Sequence, residues 1–131
     1  MLLLLDTHIL ISLARGESER LPSPLRDALH NPGNTLFASA ASLWEIAIKH
    51  RLGKLTSPCE LDKWPAVLAA LAISLMDIYP LHTLAEVTPV PNTKDPFDRL
   101  LLAICDVENM RLVTADGPLL LHPLAWKLAS A

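Results

Sequence analysis

Cysteine, net charge and long apolar runs are all scarce in this sequence, and each shortage removes a class of protein. Only Cys59 and Cys105 occur among the 131 residues. Without a Cys-x-x-Cys spacing they exclude a disulfide-stapled scaffold and read as free thiols in a reducing cytosol. Charged residues make up 19% and the net charge is −3, so there is no overall basic surface. A nucleic-acid ligand would have to be met by a local rim of cations. Leu2–Leu5 stops at Asp6 with no basic segment before it, which is not the pattern of a signal peptide. The longest mostly apolar stretch, Ala66–Met76, is far shorter than the about 20 residues a bilayer span requires. No repeat, linker or low-complexity segment divides the chain, so one domain over 1–131 with no membrane partner is expected, in the cytoplasm. His8, His30, His50, His82 and His122 lack metal-ligand spacing, and His8 reads as a helix-face or packing residue. No serine, cysteine or histidine stands beside a partner suited to covalent catalysis.

Hydrophobic residues are abundant instead, at 51%, with a mean hydropathy of +0.34. Strands buried on both faces, or a surface meant for a partner, account for such a composition. Met1–Leu5 is a short continuous apolar run and reads as a central parallel strand. Helices are expected over Thr7–Ala14, Pro22–His30, Ser39–Leu52, Asp62–Leu71, Pro80–Val87 and Pro96–Asn109. Further strands are expected over Thr35–Ala38, Ile73–Ile78 and Leu112–Thr114, and Leu119–Trp126 holds a helical turn and a short edge strand. Trp44 and Trp64 fall on apolar helix faces and read as core, or one of them as lying under a protein partner. Alternation of strand and helix predicts an α/β fold, a three-layer α/β/α sandwich around a mainly parallel sheet of four to five strands. In such sheets the ligand crevice lies beyond the carboxyl ends of the strands.

That geometry makes a group of scattered acids. Asp6 follows the first strand, Glu45 lies one turn into the helix after the second, Asp98 opens the helix before the fourth, and Asp116 follows the fourth. Singly, each has a structural explanation as a cap, a first-turn acid or a turn residue. Together at one edge they would repel one another unless a cation intervened. Hard oxygen ligands in this number suit Mg²⁺ or Mn²⁺. A site of that kind activates a water for in-line attack on a phosphodiester, with an Asp available as general base. Thr7 and Thr114 adjoin the acids and are candidates to hydrogen-bond ligands or water. Arg15, Lys49, Lys94 and Arg99 are the candidate phosphate contacts. In Lys94–Arg99, Asp95 and Pro96 set the helix start, Phe97 points into the core, and Asp98 is the ligand.

Four segments resemble one family: Leu4-Leu5-Asp6-Thr7-His8, Ser39 to Lys49, Asp95-Pro96-Phe97-Asp98-Arg99, and Leu112-Val113-Thr114-Ala115-Asp116. Together, and in this order, they resemble the PIN-domain ribonucleases, especially the VapC-like toxins of type II toxin–antitoxin pairs. The resemblance implies Mg²⁺- or Mn²⁺-dependent endoribonuclease activity with Asp6, Glu45, Asp98 and Asp116 as metal-binding acids. It also implies a homodimer and a small antitoxin that blocks the site. The chain has Thr93-Lys94 where many relatives have a histidine, and Leu121-His122 where many have a tyrosine; neither change removes an acid. Two other readings compete. One is a non-cleaving PIN-like module that binds RNA or protein. The other is an acidic-site phosphatase or phosphoaspartate receiver, against which stands the absence of Asp-x-Asp or paired acids after the first strand.

Overall fold

Leu3, Leu4 and Leu5 are wholly buried, and their strand organises the molecule. The computed structural model describes residues 1–127 of the chain. Strand β1 (Leu2–Leu5) lies inside a four-stranded sheet of order β3-β2-β1-β4, with β2 over Thr35–Ser39, β3 over Ile73–Met76 and β4 over Arg111–Val113. Every pairing is parallel, with Leu4 opposite both Phe37 and Leu112. A parallel sheet needs crossover helices, and these cover both faces.

Alternation along β1 sorts the core into two halves. Leu3 and Leu5 point to one face, where they pack with Ile9 and Leu10 of α1 (Thr7–Ala14), Leu25 of α2 (Ser23–His30), Ile46 of α3 (Ala40–Arg51), and Trp64 and Leu68 of α4 (Trp64–Ala70). Leu4 points to the other face, against Leu101, Leu102, Ile104 and Cys105 of α6 (Pro96–Glu108). The short α5 (Pro80–Leu84) and α7 (Gly117–Leu120) complete the helices. The expected edge strand is a single parallel bridge, Leu112 to Ala125.

Local chemistry fixes the helix ends. Asp95 caps α6, accepting from the amides of Phe97 and Asp98 at 2.8 and 3.2 Å. Pro96 sits at its first position, where a missing N–H costs nothing. Asn109 ends α6 in the left-handed conformation, φ 56°, which asparagine tolerates better than most residues. Ser39 caps α3 by accepting from the Ala41 amide at 3.0 Å. Cys59 and Cys105 are free thiols, and burial pushes Cys105 up to about 12.

Trp64 is in the core as expected, 1% exposed, but Trp44 is not: it is 61% exposed. Helix α3 turns Ala41, Ser42, Glu45 and Ile46 inward. Phe97 also departs from expectation. It is half-buried and meets Trp44 edge-on, with ring centroids 5.7 Å apart and planes at 77°. The outward turn of Trp44 offers it a partner outside the core.

Candidate functional site

Asp6, Glu45, Asp98 and Asp116 line one pocket of about 70 Å³, together with Thr7, His8, Lys49, Asp95 and Leu119. Each acid arrives by a different route. The Asp6 amide continues the β1–β4 pairing by donating to the Val113 carbonyl at 3.0 Å. The Asp6 carboxylate then caps α1 by accepting from the Ile9 amide at 2.9 Å. Asp116 caps α7 in the same manner, accepting from Leu119 at 3.2 Å. Its own amide donates to the Thr114 hydroxyl at 3.0 Å. Asp98 lies in the first turn of α6, and Glu45 faces inward from α3. All four are thus held by strand ends or helix turns at one edge of the sheet.

The pocket has a depth gradient. Asp6 and Glu45 are buried at 4% exposure each, Asp98 is half-buried and Asp116 is exposed. Glu45 forms the most constrained part. Its Oε1 accepts from the Thr7 hydroxyl at 2.5 Å, and Thr7 in turn meets the buried Ser42 hydroxyl at 3.0 Å. Its Oε2 forms an ion pair with Lys49 Nζ. Both carboxylate oxygens are therefore engaged, which is what a buried charge requires. The bond to Glu45 raises Lys49 above the ordinary lysine value, with Asp95 and Asp98 adding to the effect.

Repulsion among the acids appears in their protonation. Asp98 is pushed up to about 6, first by burial, then by Asp95, Glu45, Asp6 and Asp116. Burial also raises Asp6, although the Thr114 hydroxyl, the Ile9 amide and His8 pull the other way and Glu45 adds to the rise. Asp98 thus carries its charge at a cost in the free pocket, and positive charge entering the pocket lowers that cost. The donor set is all oxygen and suits a hard divalent cation. The side chains stand apart, however: among the described residues no three Asp, Glu, His or Cys groups converge closely enough to hold a metal ion as they are.

Of the four cations expected to meet phosphate, Lys49 alone lines the pocket. The Arg15 guanidinium donates to the Thr56 carbonyl at 2.9 Å, and Arg99 Nε donates to the Thr93 carbonyl at 2.7 Å. Lys94 is exposed. Thr7 and Thr114 are buried beside the acids, as their positions suggested. Four participants escaped the sequence reading. Asp95 is a fifth acid of the pocket, hidden by its capping role, and His8 is exposed at the pocket wall. Ser42 is buried and meets the Thr7 hydroxyl. Thr93 donates to Asp98 Oδ2 at 3.5 Å and accepts from the Asp95 amide at 3.2 Å. The other unusual position, His122, is buried and ties down the same loop, bonding the Pro89 carbonyl through Nε2 at 2.8 Å.

A larger cavity of about 570 Å³ lies between α5, the following loop and α6, lined by His82, Val87, Val90, Arg99 and Leu100 among others, and contains none of the four acids. Its buried His82 is fully bonded, to the Tyr79 amide at 3.0 Å and to Glu108 at 2.8 Å. It offers apolar volume rather than chemistry.

The family model described as the PIN domain matches residues 3–119. No match was found among curated proteins or among solved structures.

Proposed function

The chain belongs to the PIN domain family, a family of nucleases, and from that premise we propose that it is a metal-dependent endoribonuclease acting as one domain over residues 1–131. The observation that carries the reading is the meeting of Asp6, Glu45, Asp98 and Asp116, drawn from four distant segments, in one pocket. Burial, and after it the crowding of the other acids, pushes Asp98 up to about 6, a cost to the free protein. A divalent cation, Mg²⁺ or Mn²⁺, removes that cost.

In this reading the four acids hold the ion, which when bound supplies the charge that activates a water and offsets the developing charge on a phosphodiester. The protein's own groups do the rest. Thr7 keeps Glu45 turned inward, and Thr114 orients Asp116 and Asp6. Asp98 holds its negative charge at less cost as the pocket gains positive charge. Lys49, once it leaves Glu45, is the cation placed to meet a phosphate oxygen; Lys94, Arg99 and Arg15 lie outside the pocket and at most guide more distant phosphates.

We further propose that the enzyme is the toxin of a type II toxin–antitoxin pair, working in the cytoplasm as a homodimer and silenced by a small antitoxin. Support comes from the resemblance in the four motifs and from exposed apolar side chains such as Leu81, Leu84 and Val90. No helix among the described residues is long and apolar enough to cross a membrane.

One observation favours a second reading, a PIN-like module that binds RNA or protein without cutting. Both oxygens of Glu45 are already engaged, so ligation there needs rearrangement. Incubating purified protein with RNA and Mn²⁺ separates the two, with EDTA and Asp98→Asn as controls. Cleavage that stops under both controls is expected. Cleavage that survives either would sink the metal mechanism, and bound Mn²⁺ without cleavage would favour the binding module.

A further inference from the structure

Trp44 presents an indole to solvent, next in sequence to Glu45 of the acid pocket. It is 61% exposed and belongs to neither half of the core. Its neighbour in sequence is Glu45, at the pocket floor. Phe97, which meets it edge-on at 5.7 Å, sits between Asp95 and Asp98, both in the pocket wall. The contact joins α3 to α6. An edge-on contact fixes the direction of the indole while leaving a face of the ring uncovered.

The surroundings say what such a face would take. Helix geometry puts Arg51 on the same stripe of α3 as Trp44, seven residues and about 10 Å further along the axis. Arg51 is exposed, and Lys49 lies between the two positions in sequence. Half-buried Ala47 and Ile48 lie between Trp44 and Arg51 on that stripe, and Lys49 turns toward the pocket, where it is paired with Glu45. An aromatic face followed along the helix by an exposed guanidinium matches what an unpaired nucleotide strand offers, base and then phosphate, and a protein partner seated on the apolar part of the stripe is the competing outcome of the test below.

We propose that Trp44, braced by Phe97, is a stacking platform for an unpaired nucleobase next to the phosphodiester held in the acid pocket, with Arg51 taking a phosphate further along the strand. This rests on the nuclease reading above for the identity of the pocket. It adds the requirement that the strand be single at the site, because a paired and stacked base cannot lie on the indole.

Tryptophan fluorescence tests it, since Trp64 is buried and Trp126 half-buried. Wild type, Trp44→Phe and Trp44→Ala are titrated with a short single-stranded oligoribonucleotide and with its duplex, with Ca²⁺ present. The expected result is quenching by the single strand alone, most of it lost in Trp44→Phe while affinity stays within about threefold. Trp44→Ala should bind about tenfold more weakly or worse, the effect of losing one stacked base. Equal binding by Trp44→Ala and wild type would overturn the proposal. So would equal quenching by the duplex, or a change in sedimenting mass of Trp44→Ala with RNA binding intact, which would put a second protein chain on Trp44. Failure of the nuclease reading looks different: quenching that depends on Trp44, with no cleavage in Mn²⁺, keeps the platform and removes the enzyme.

Discussion

Replacing Asp98 by asparagine should make the metal-free protein more stable at neutral pH. The carboxyl is pushed from 3.8 up to about 6 by burial and by four neighbouring acids, so its charged form is disfavoured in the folded state. That rise corresponds to about 3 kcal/mol against the folded form at pH 7. Asp98 is only half-buried, and solvent screening reduces the figure by about half, to about 1.5 kcal/mol. Asparagine also forfeits the attraction between an acid and the first turn of α6, about 0.5 kcal/mol. The net gain is about 1 kcal/mol, or about 4 °C in the unfolding midpoint for a chain of this length. The sign with pH follows from a carboxyl whose folded value is raised. Its penalty is complete above about 6 and fades as the pH falls toward 3.8, so wild type catches up with the variant across that window. Thermal unfolding by circular dichroism in EDTA, at pH 7.5 and near pH 4, measures both. Added Mn²⁺ should reverse the order at pH 7.5, because only wild type has the full acid set to bind it. A variant less stable than wild type at pH 7.5 in EDTA, or a difference that does not shrink on acidification, would refute the repulsion argument.

Thr7→Val removes the donor to Glu45 Oε1 and the partner of buried Ser42; it should cost about 1–3 kcal/mol in urea unfolding, with Thr7→Ser recovering most of it. Lys49→Met frees Oε2 of Glu45 and takes a positive charge from the pocket, so Mn²⁺ should bind about tenfold more tightly by calorimetry; unchanged or weaker binding would mean that Lys49 does not compete with the ion. Trp64→Ala, at a site 1% exposed whose indole N–H donates to Ser57 at 3.0 Å, should cost about 3–5 kcal/mol. Trp44→Ala, which loses only the edge-on contact with Phe97, should cost about 1 kcal/mol, and the two substitutions measured side by side check the opposite placements of the two residues.

The strands and most helices were legible because their residues obey one rule at a time. Leu3, Leu4 and Leu5 are apolar on both faces of an inner strand, and Asp95-Pro96 starts a helix by capping chemistry alone. Four acids at strand ends and helix starts were legible as a group for the same reason, since a parallel sheet brings those positions to one edge. Helix α3 was less legible. Its inward face carries Ser42 and Glu45 while Trp44 faces out, the reverse of the hydrophobic rule, and such reversals mark functional surfaces. The arginines were illegible for another reason. Arg15 and Arg99 have long stems that reach backbone carbonyls far away in sequence or on the preceding loop, and no local pattern fixes that choice.

In the sheet order β3-β2-β1-β4 the last strand is the neighbour of the first, and the consequence is one of timing. A growing chain on the ribosome delivers Asp6, then Glu45, then Asp98, but β1 keeps an open edge until Arg111–Val113 arrives to pair with it. Asp116 follows only three residues after that strand. No shorter nascent chain encloses the pocket. Whatever chemistry the acids perform waits for β4 to pair with β1 and bring Asp116 to the pocket.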